Sequence, residues 1–277
     1  MTLHHVVVGV DGSLNSVRAL DRAADEAARR GVELRIVYAV PDSDEAGPVL
    51  ASAATRVGVR HPELSVVTVD AIGGPVRTLV RESEGADLIV VGTRGMGGLA
   101  GLLFGSVSLR LAARVHTPLL VVRGDHPCDD GRPVLLGLEG HSDEDTALYA
   151  FQEAERRGVP LHVLRSWTHR HSTSELPSPV PASSPGQQQL ARQGRAEDSV
   201  PRFTLSRLSE RHPGIQVESR TVRTGPAHAL LEATRDCAVV VVGAHGRTHR
   251  FGPRPGPPAH TLLHRSHCPV VVVPTAK

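Results

Sequence analysis

Short runs of consecutive Val, Leu and Ile alternate along this chain with longer stretches whose apolar residues recur every three or four positions. The runs from His5 to Asp11, Val32 to Val40, Ser65 to Asp70, Asp87 to Gly92 and Leu119 to Arg123 predict strands. Between the first two, Val17, Leu20, Ala24 and Ala27 fall on one helical face. Ser13 is placed to cap that helix and Gly31 to end it. Gly74-Pro75 opens another predicted helix and Ser106 a third. Strands that are apolar without alternation, joined by amphipathic helices, indicate a parallel sheet covered on both faces. Right-handed crossovers then make a doubly wound α/β unit.

The pattern occurs twice. Arg60-His61-Pro62 returns as Arg211-His212-Pro213, Gly74-Pro75 as Gly225-Pro226, Gly92 as Gly243, Gly95 as Gly246, Gly105 as Gly256 and Pro118 as Pro269. Earlier segments match at a shorter offset: Gly9-Val10-Asp11-Gly12 with Gly137-Leu138-Glu139-Gly140, and Arg29-Arg30-Gly31-Val32 with Arg156-Arg157-Gly158-Val159. The change of offset requires an insertion, and about residues 168–207, rich in Ser, Pro, Gln and Gly, supply it. That stretch reads as mobile, with a helix around Gln187 to Arg211 as the alternative, because Leu205 and Leu208 lie three apart. The predicted domains are 1–126 and 132–277, joined by a Gly- and Asp-rich boundary near Gly124 to Arg132.

A chain of 277 residues suits two such domains. With 40% hydrophobic and 22% charged residues, disorder is excluded as the general state. The formal net charge of +2, with both signs interspersed, argues against nucleic acid as the main partner. Three cysteines without a close-spaced pair argue against a disulfide framework, and no apolar run approaches the roughly 18 residues that span a bilayer. A soluble cytoplasmic protein without a targeting segment is the expectation.

In a doubly wound sheet, ligands bind outside the carboxyl ends of the strands, where the strand order reverses. There the first strand ends in Val10-Asp11-Gly12-Ser13, and the fourth in Gly92-Thr93-Arg94-Gly95-Met96-Gly97-Gly98, before Gly105-Ser106 opens a helix. Glycines let backbone N–H groups approach an anion, and a helix N-terminus adds unpaired donors, so a phosphate chain suits this loop. Asp11 is a candidate to hold either a phosphate-bound Mg²⁺ or a ribose hydroxyl.

The spacing Gly92-x2-Gly95-x9-Gly105-Ser106, the early Val-Gly-Val-Asp, and the flanking Leu-Ile-Val-Val-Gly and His-Thr-Pro-Leu-Leu-Val-Val segments resemble the ATP-binding signature of the universal stress protein family. The resemblance covers roughly residues 3–123 and, more weakly, 133–274. It implies five-stranded parallel sheets of order 3-2-1-4-5 and ATP in the first repeat. It places Gly9, Asp11 and the backbone near Ala39 and Val40 on the ribose and adenine side. Gly92, Arg94, Gly95, Gly98, Gly105 and Ser106 then surround the phosphates. It further implies a homodimer or a pairing of the two repeats, with the final strand Val270 to Val273 as an exposed dimer edge. The implied role is regulation in stress or dormancy through a protein partner whose identity the sequence does not carry.

Two departures stand out. Only 19 residues separate Val40 from Arg60, which predicts a short helix and a more open adenine side. In the second repeat Gly243, Gly246 and Gly256 keep the spacing, but Pro257-Pro258 stand where Ser106-Val107 do. Proline has no N–H, so two phosphate donors and a hydroxyl disappear together. Glu139 replaces Asp11 and Trp167 falls where Val40 would border adenine, which makes this a degenerate second site; Arg247, Arg250 and Arg254 are its remaining source of positive charge.

Other chemistries find less support. His260, His264 and Cys268 are four apart, a spacing for zinc, but their repeat partners are Leu109, Ala113 and Thr117, and Cys268 reads as the start of a strand. The only lysine is Lys277, which excludes a P-loop ATPase. Neither Ser13 nor Ser106 has a histidine in its own loop, so a hydrolase triad has no support. An ATP-binding regulator, whose nucleotide orders the Thr93 to Phe104 loop, is the leading reading, with no catalytic residues assigned. The alternatives are a slow enzyme of the same fold group that hydrolyses ATP or cleaves it at the α-phosphate, and a stress protein that never binds nucleotide.

Overall fold

The computed structural model describes residues 4–40, 46–93, 106–123, 131–138, 143–166, 204–222, 225–244 and 256–274. The first repeat runs β1 (His5–Val10), α1 (Leu14–Arg30), β2 (Glu33–Val40), α2 (Ala46–Arg60), β3 (Val66–Ile72), α3 (Pro75–Glu82), β4 (Leu88–Gly92), α4 (Ser106–Ala112) and β5 (Leu119–Val122). The second runs β6 (Val134–Leu138), α5 (Glu144–Arg157), β7 (Leu161–Ser166), α6 (204–211), β8 (Val217–Val222), α7 (Pro226–Ala233), β9 (Val239–Gly243), α8 (Pro257–Arg265) and β10 (Val270–Val273).

Local chemistry sets the helix ends. Ser13 adopts an extended backbone and its Oγ accepts from the Ser16 N–H at 3.2 Å, the N-cap of α1. Gly31, at φ 65°, closes α1 with its N–H on the Ala27 and Ala28 carbonyls, and Gly158 at φ 63° closes α5 in the same way. Pro75 and Pro226 sit in the first turns of α3 and α7, where a missing N–H costs nothing.

Each repeat forms the 3-2-1-4-5 parallel order, but the two are not separate sheets. One ten-stranded sheet runs β3-β2-β1-β4-β5-β10-β9-β6-β7-β8, joined at its centre by antiparallel pairing of β5 with β10. Val271 lies opposite Leu120, and Val270 opposite Val121. The expectation of Val270 to Val273 as an exposed dimer edge is therefore overturned: these residues are at most 4% exposed, with β9 on one side and β5 on the other. Within this chain the second repeat supplies what a second copy was expected to.

The core lies in two layers. Val6, Val8, Leu34, Ile36, Leu136 and Val163 face α1, α2, α5 and α6, while Val7, Val37, Ile89, Leu135 and Val240 face α3, α4, α7 and α8. Both faces of the central strands are dry, which explains their unbroken apolar runs. Two further expectations change here. The helix between β2 and β3 is a full 15 residues, so the segment read as short is almost wholly helical. Residues 204–211 are helical with Leu208 buried and Leu205 packed beside it, so the tail of the insertion joins the core, while 167–203 lie outside the described residues.

Above the β5–β10 seam, α1 and α5 meet through buried charge. Arg157 contacts both Glu26 and Glu153, the latter at 2.6 Å. Arg30 contacts Glu26, reaches Glu153 at 2.9 Å and donates to the Tyr149 hydroxyl at 3.0 Å. Arg29 and Arg156 add a 3.0 Å pair to Glu26 and a 2.8 Å pair to Glu153. The arrangement is pseudo-symmetric, with Glu26, Arg29 and Arg30 matched by Glu153, Arg156 and Arg157. Both carboxylates are 1% exposed. Burial alone would raise the Glu153 pKa, but Arg157, Arg30 and Arg156 outweigh it and hold the carboxyl well below the usual range.

A carboxyl depressed in the folded state contributes stability above its unfolded pKa and loses it as pH falls through the folded value. We therefore expect stability to drop as pH falls below the unfolded glutamate value of about 4.3. Glu153→Gln should cost about 3–5 kcal/mol at neutral pH, because it leaves buried arginines without their counter-charge. It should also flatten that acid dependence. Denaturant unfolding at neutral and acid pH measures both; a variant as stable as the parent would remove the lattice from any role in joining the repeats.

Candidate functional site

The strand order reverses between β1 and β4, and the carboxyl ends of these strands meet the first turn of α1. Asp11 follows β1, half-buried, and Gly12 turns the chain at φ 79°, a conformation that L side chains rarely adopt. Ser13 then donates to Asp11 Oδ1 twice, from its N–H at 3.1 Å and its hydroxyl at 2.6 Å. The same hydroxyl oxygen accepts from Ser16 N–H, so the helix cap also orients the carboxylate. An oriented carboxylate beside a helix N-terminus can hold a hydroxyl or, through oxygen, a hard cation.

Gly92 ends β4, pairs with Val122 and lies against α1. A Cβ there would stand 2.8 Å from the Asn15 carbonyl oxygen, so only glycine lets the two segments approach this closely. The following residue, Thr93, is buried and donates its N–H to the Val122 carbonyl at 3.1 Å. Of the expected ligand residues the structure thus places Asp11 and Gly92 at the carboxyl ends of adjacent strands. Ala39 lies half-buried near the end of β2, opposite Ala71, and the backbone of Val40 pairs beside Ile72. Ser106 begins α4. Arg94, Gly95, Gly98 and Gly105 lie outside the described residues.

Gly9 has a different explanation from the one its motif implies. A Cβ on it would meet the Leu79 side chain of α3 at 3.0 Å, and one on Gly137 would meet Leu230 of α7 at 2.8 Å. In both repeats the glycine lies directly beneath a leucine of the helix behind it, and a larger residue would make that leucine shift. Val49 of α2 comes within 3.7 Å of where a Gly12 Cβ would lie, an ordinary contact distance. A shallow depression of about 440 Å³, lined by Ser52, Thr55, Arg56, Val59 and Arg60, lies further along α2 and includes none of these residues.

The universal stress protein family model matches residues 2–123 and again 131–274. The chain belongs to the universal stress protein family. A universal stress protein of Mycolicibacterium smegmatis is 32% identical over 296 residues, covering 98% of this chain and 97% of its own. One of Mycobacterium tuberculosis is 34% identical over 295 residues, covering 97% and 96%. Among solved structures, a universal stress protein of Archaeoglobus fulgidus superposes over 99% of this chain and 97% of its own, with TM-score 0.64 and 16% identity, a likeness of fold.

Within this universal stress protein the second crevice differs from the first. Gly243 ends β9, buried, as Gly92 ends β4, but α8 opens with Pro257 and Pro258 behind the N-cap Gly256. The first two backbone N–H groups of that helix are absent. Glu139, Trp167 and Gly246 lie outside the described residues. The His260 and His264 ring centroids lie 4.4 Å apart on α8 with their planes tilted by 41°, and Cys268 is fully buried beyond the helix end; among the described residues no group of three or more ligands is placed to hold a metal. Burial pushes the Cys268 thiol up to about 12, which makes it a poor nucleophile. Among the described residues no helix is long and apolar enough to cross a membrane.

Sequence reasoning missed the Asp11–Ser13 bond and the close approach of Asn15 to Gly92. The Asp-x-Ser spacing at a strand end was the available signal for the first. The close approach at Gly92 leads to a test. Gly92→Ala should destabilise by about 1–3 kcal/mol, because backbone atoms must move apart. Gly47→Ala in α2, where a Cβ meets nothing within 4 Å, should be neutral or stabilising by about 0.5–1 kcal/mol. Thermal unfolding of both variants checks the contrast.

Proposed function

We propose that the first repeat, within residues 1–126, binds ATP across the carboxyl ends of β1 and β4, and that the nucleotide acts as a regulatory ligand in a stress or dormancy response. The observation that carries this reading is the convergence of a pinned carboxylate, Asp11, and a closely packed glycine, Gly92, at the strand-order reversal. The Gly92-x2-Gly95-x9-Gly105-Ser106 spacing adds a loop suited to phosphates. Asp11 is a hard oxygen donor and fits a Mg²⁺ that keeps several waters and phosphate oxygens. When bound, that ion would neutralise phosphate charge.

The second repeat, within residues 132–277, keeps the fold and opens α8 with two prolines where the first repeat has Ser106 and Val107. Pro257 and Pro258 are tolerated in the first turn of a helix, so their presence leaves folding intact while removing donors that a phosphate would use. A regulatory ligand needs only differential binding to two states of the Thr93 to Phe104 loop, not turnover.

The test is to denature freshly purified protein and identify released nucleotide by chromatography, beside a Gly105→Arg, Ser106→Ala double variant. A single ATP per chain, lost in the double variant, is the expected result. No released nucleotide, and none taken up from millimolar Mg-ATP, would overturn the reading. Two nucleotides per chain would remove the asymmetry between the repeats, and multiple turnovers per site would move the protein to the enzyme class.

A further inference from the structure

We propose that two copies of this chain associate edge to edge through β3, antiparallel about a two-fold axis at Val69. Because β5 and β10 occupy each other, the sheet ends at β3 and at β8, and among the described residues no element pairs with the outer side of either.

The two ends differ in character. β8 exposes Glu218 and Arg220 on either side of Ser219, the kind of charge that protects an edge from pairing. β3 carries one charge, Asp70, and no proline or basic residue. Four large apolar side chains stand exposed among the described residues, and three of them are Val67 and Ile72 of β3 and Val59 of α2, the helix packed over β2 and β3. Ile72 is 76% exposed and Val59 79%. Apolar surface is therefore concentrated at one end of the sheet, where an unpaired backbone edge also lies.

The register follows from the hydrogen bonds already used. The Leu34 N–H bonds the Ser65 carbonyl at 2.9 Å, and Leu34 is aligned with Val66, so Ser65, Val67, Val69 and Ala71 turn their backbone groups toward β2. Val66, Thr68, Asp70 and Ile72 turn theirs outward, because these directions alternate along a strand. Three two-fold centres lie at the middle of the strand. At Asp70, like charges would face each other; at Thr68, Ile72 would be left without an opposite residue. At Val69 every outward residue finds one: Val66 opposite Ile72 of the second copy, and Thr68 opposite Asp70, which makes roughly eight backbone hydrogen bonds. Val67 then faces Ala71 and Val69 faces Val69 at the positions where antiparallel side chains come closest. The partner that fits this edge is therefore a second copy of the same edge, joining two ten-stranded sheets.

The test uses the full chain. Sedimentation or light scattering should give a concentration-dependent mass approaching twice the 29.5 kDa of the chain. Thr68→Pro removes an outward N–H that makes no bond to β2, and Val69→Lys places like charges at the axis; each should halve the mass with the far-UV spectrum unchanged. Ser219→Pro on β8 should leave the dimer intact. Hydrogen exchange of the unmodified protein gives a reading that needs no variant: the amides of Thr68, Asp70 and Ile72 should be protected at high concentration and lose protection on dilution. A monomer at every concentration, unprotected amides, a dimer that survives both β3 substitutions, or one that Ser219→Pro dissolves would overturn the proposal.

Discussion

Antiparallel pairing of β5 with β10 is the contact on which the architecture depends. Each strand is short, four residues, and buried on both faces, so either one left at an open edge would expose a row of Leu and Val side chains together with unpaired backbone groups. Joining them removes both edges at once and turns two marginal five-stranded sheets into one. Burying one such side chain contributes about 1.5–3 kcal/mol, so eight of them outweigh anything the charged groups above them add.

The charged groups have a different effect. A buried Glu–Arg lattice is often no more stable than apolar residues of the same volume, because removing charge from water costs nearly what pairing returns. Its strength lies in the penalty for misalignment: sliding α1 past α5 would leave Arg30 or Arg157 buried without a carboxylate. Apolar pairing drives the repeats together, and the lattice selects the register in which they stay. The near-exact exchange of Glu26 and Arg30 for Glu153 and Arg157 about the seam is what two copies of one ancestral surface would produce.

Fold and ligand chemistry separate cleanly between the repeats. Gly9 and Gly137 both make room for a leucine from the helix behind them, and Gly92 and Gly243 both end the fourth strand of their repeat. Asp11 against Glu139, and Ser106 against Pro257, differ between the repeats, and the proline removes a backbone donor. A repeat can thus keep its core while its crevice changes.

Strand runs, the caps at Ser13 and Gly31, the repeat and the crevice at Asp11 and Gly92 were legible in the sequence, because each depends on local periodicity or on a residue type with a specific backbone habit. The α2 helix was underread because only 19 residues separate Val40 from Arg60, yet 15 residues, Ala46–Arg60, are helical and bury Leu50, Ala53 and Val57 in the core. The sequence left the partner of Val270 to Val273 open between a second copy and the other repeat. An apolar strand reads the same whether its partner is another molecule or the other half of its own chain. Only the tertiary structure, by placing Val271 against Leu120 and Arg157 against Glu26, decided that this edge closes internally and that the outer strands of the sheet are β3 and β8. Local sequence specifies elements; the pairing of distant edges is set by which surfaces can be buried together.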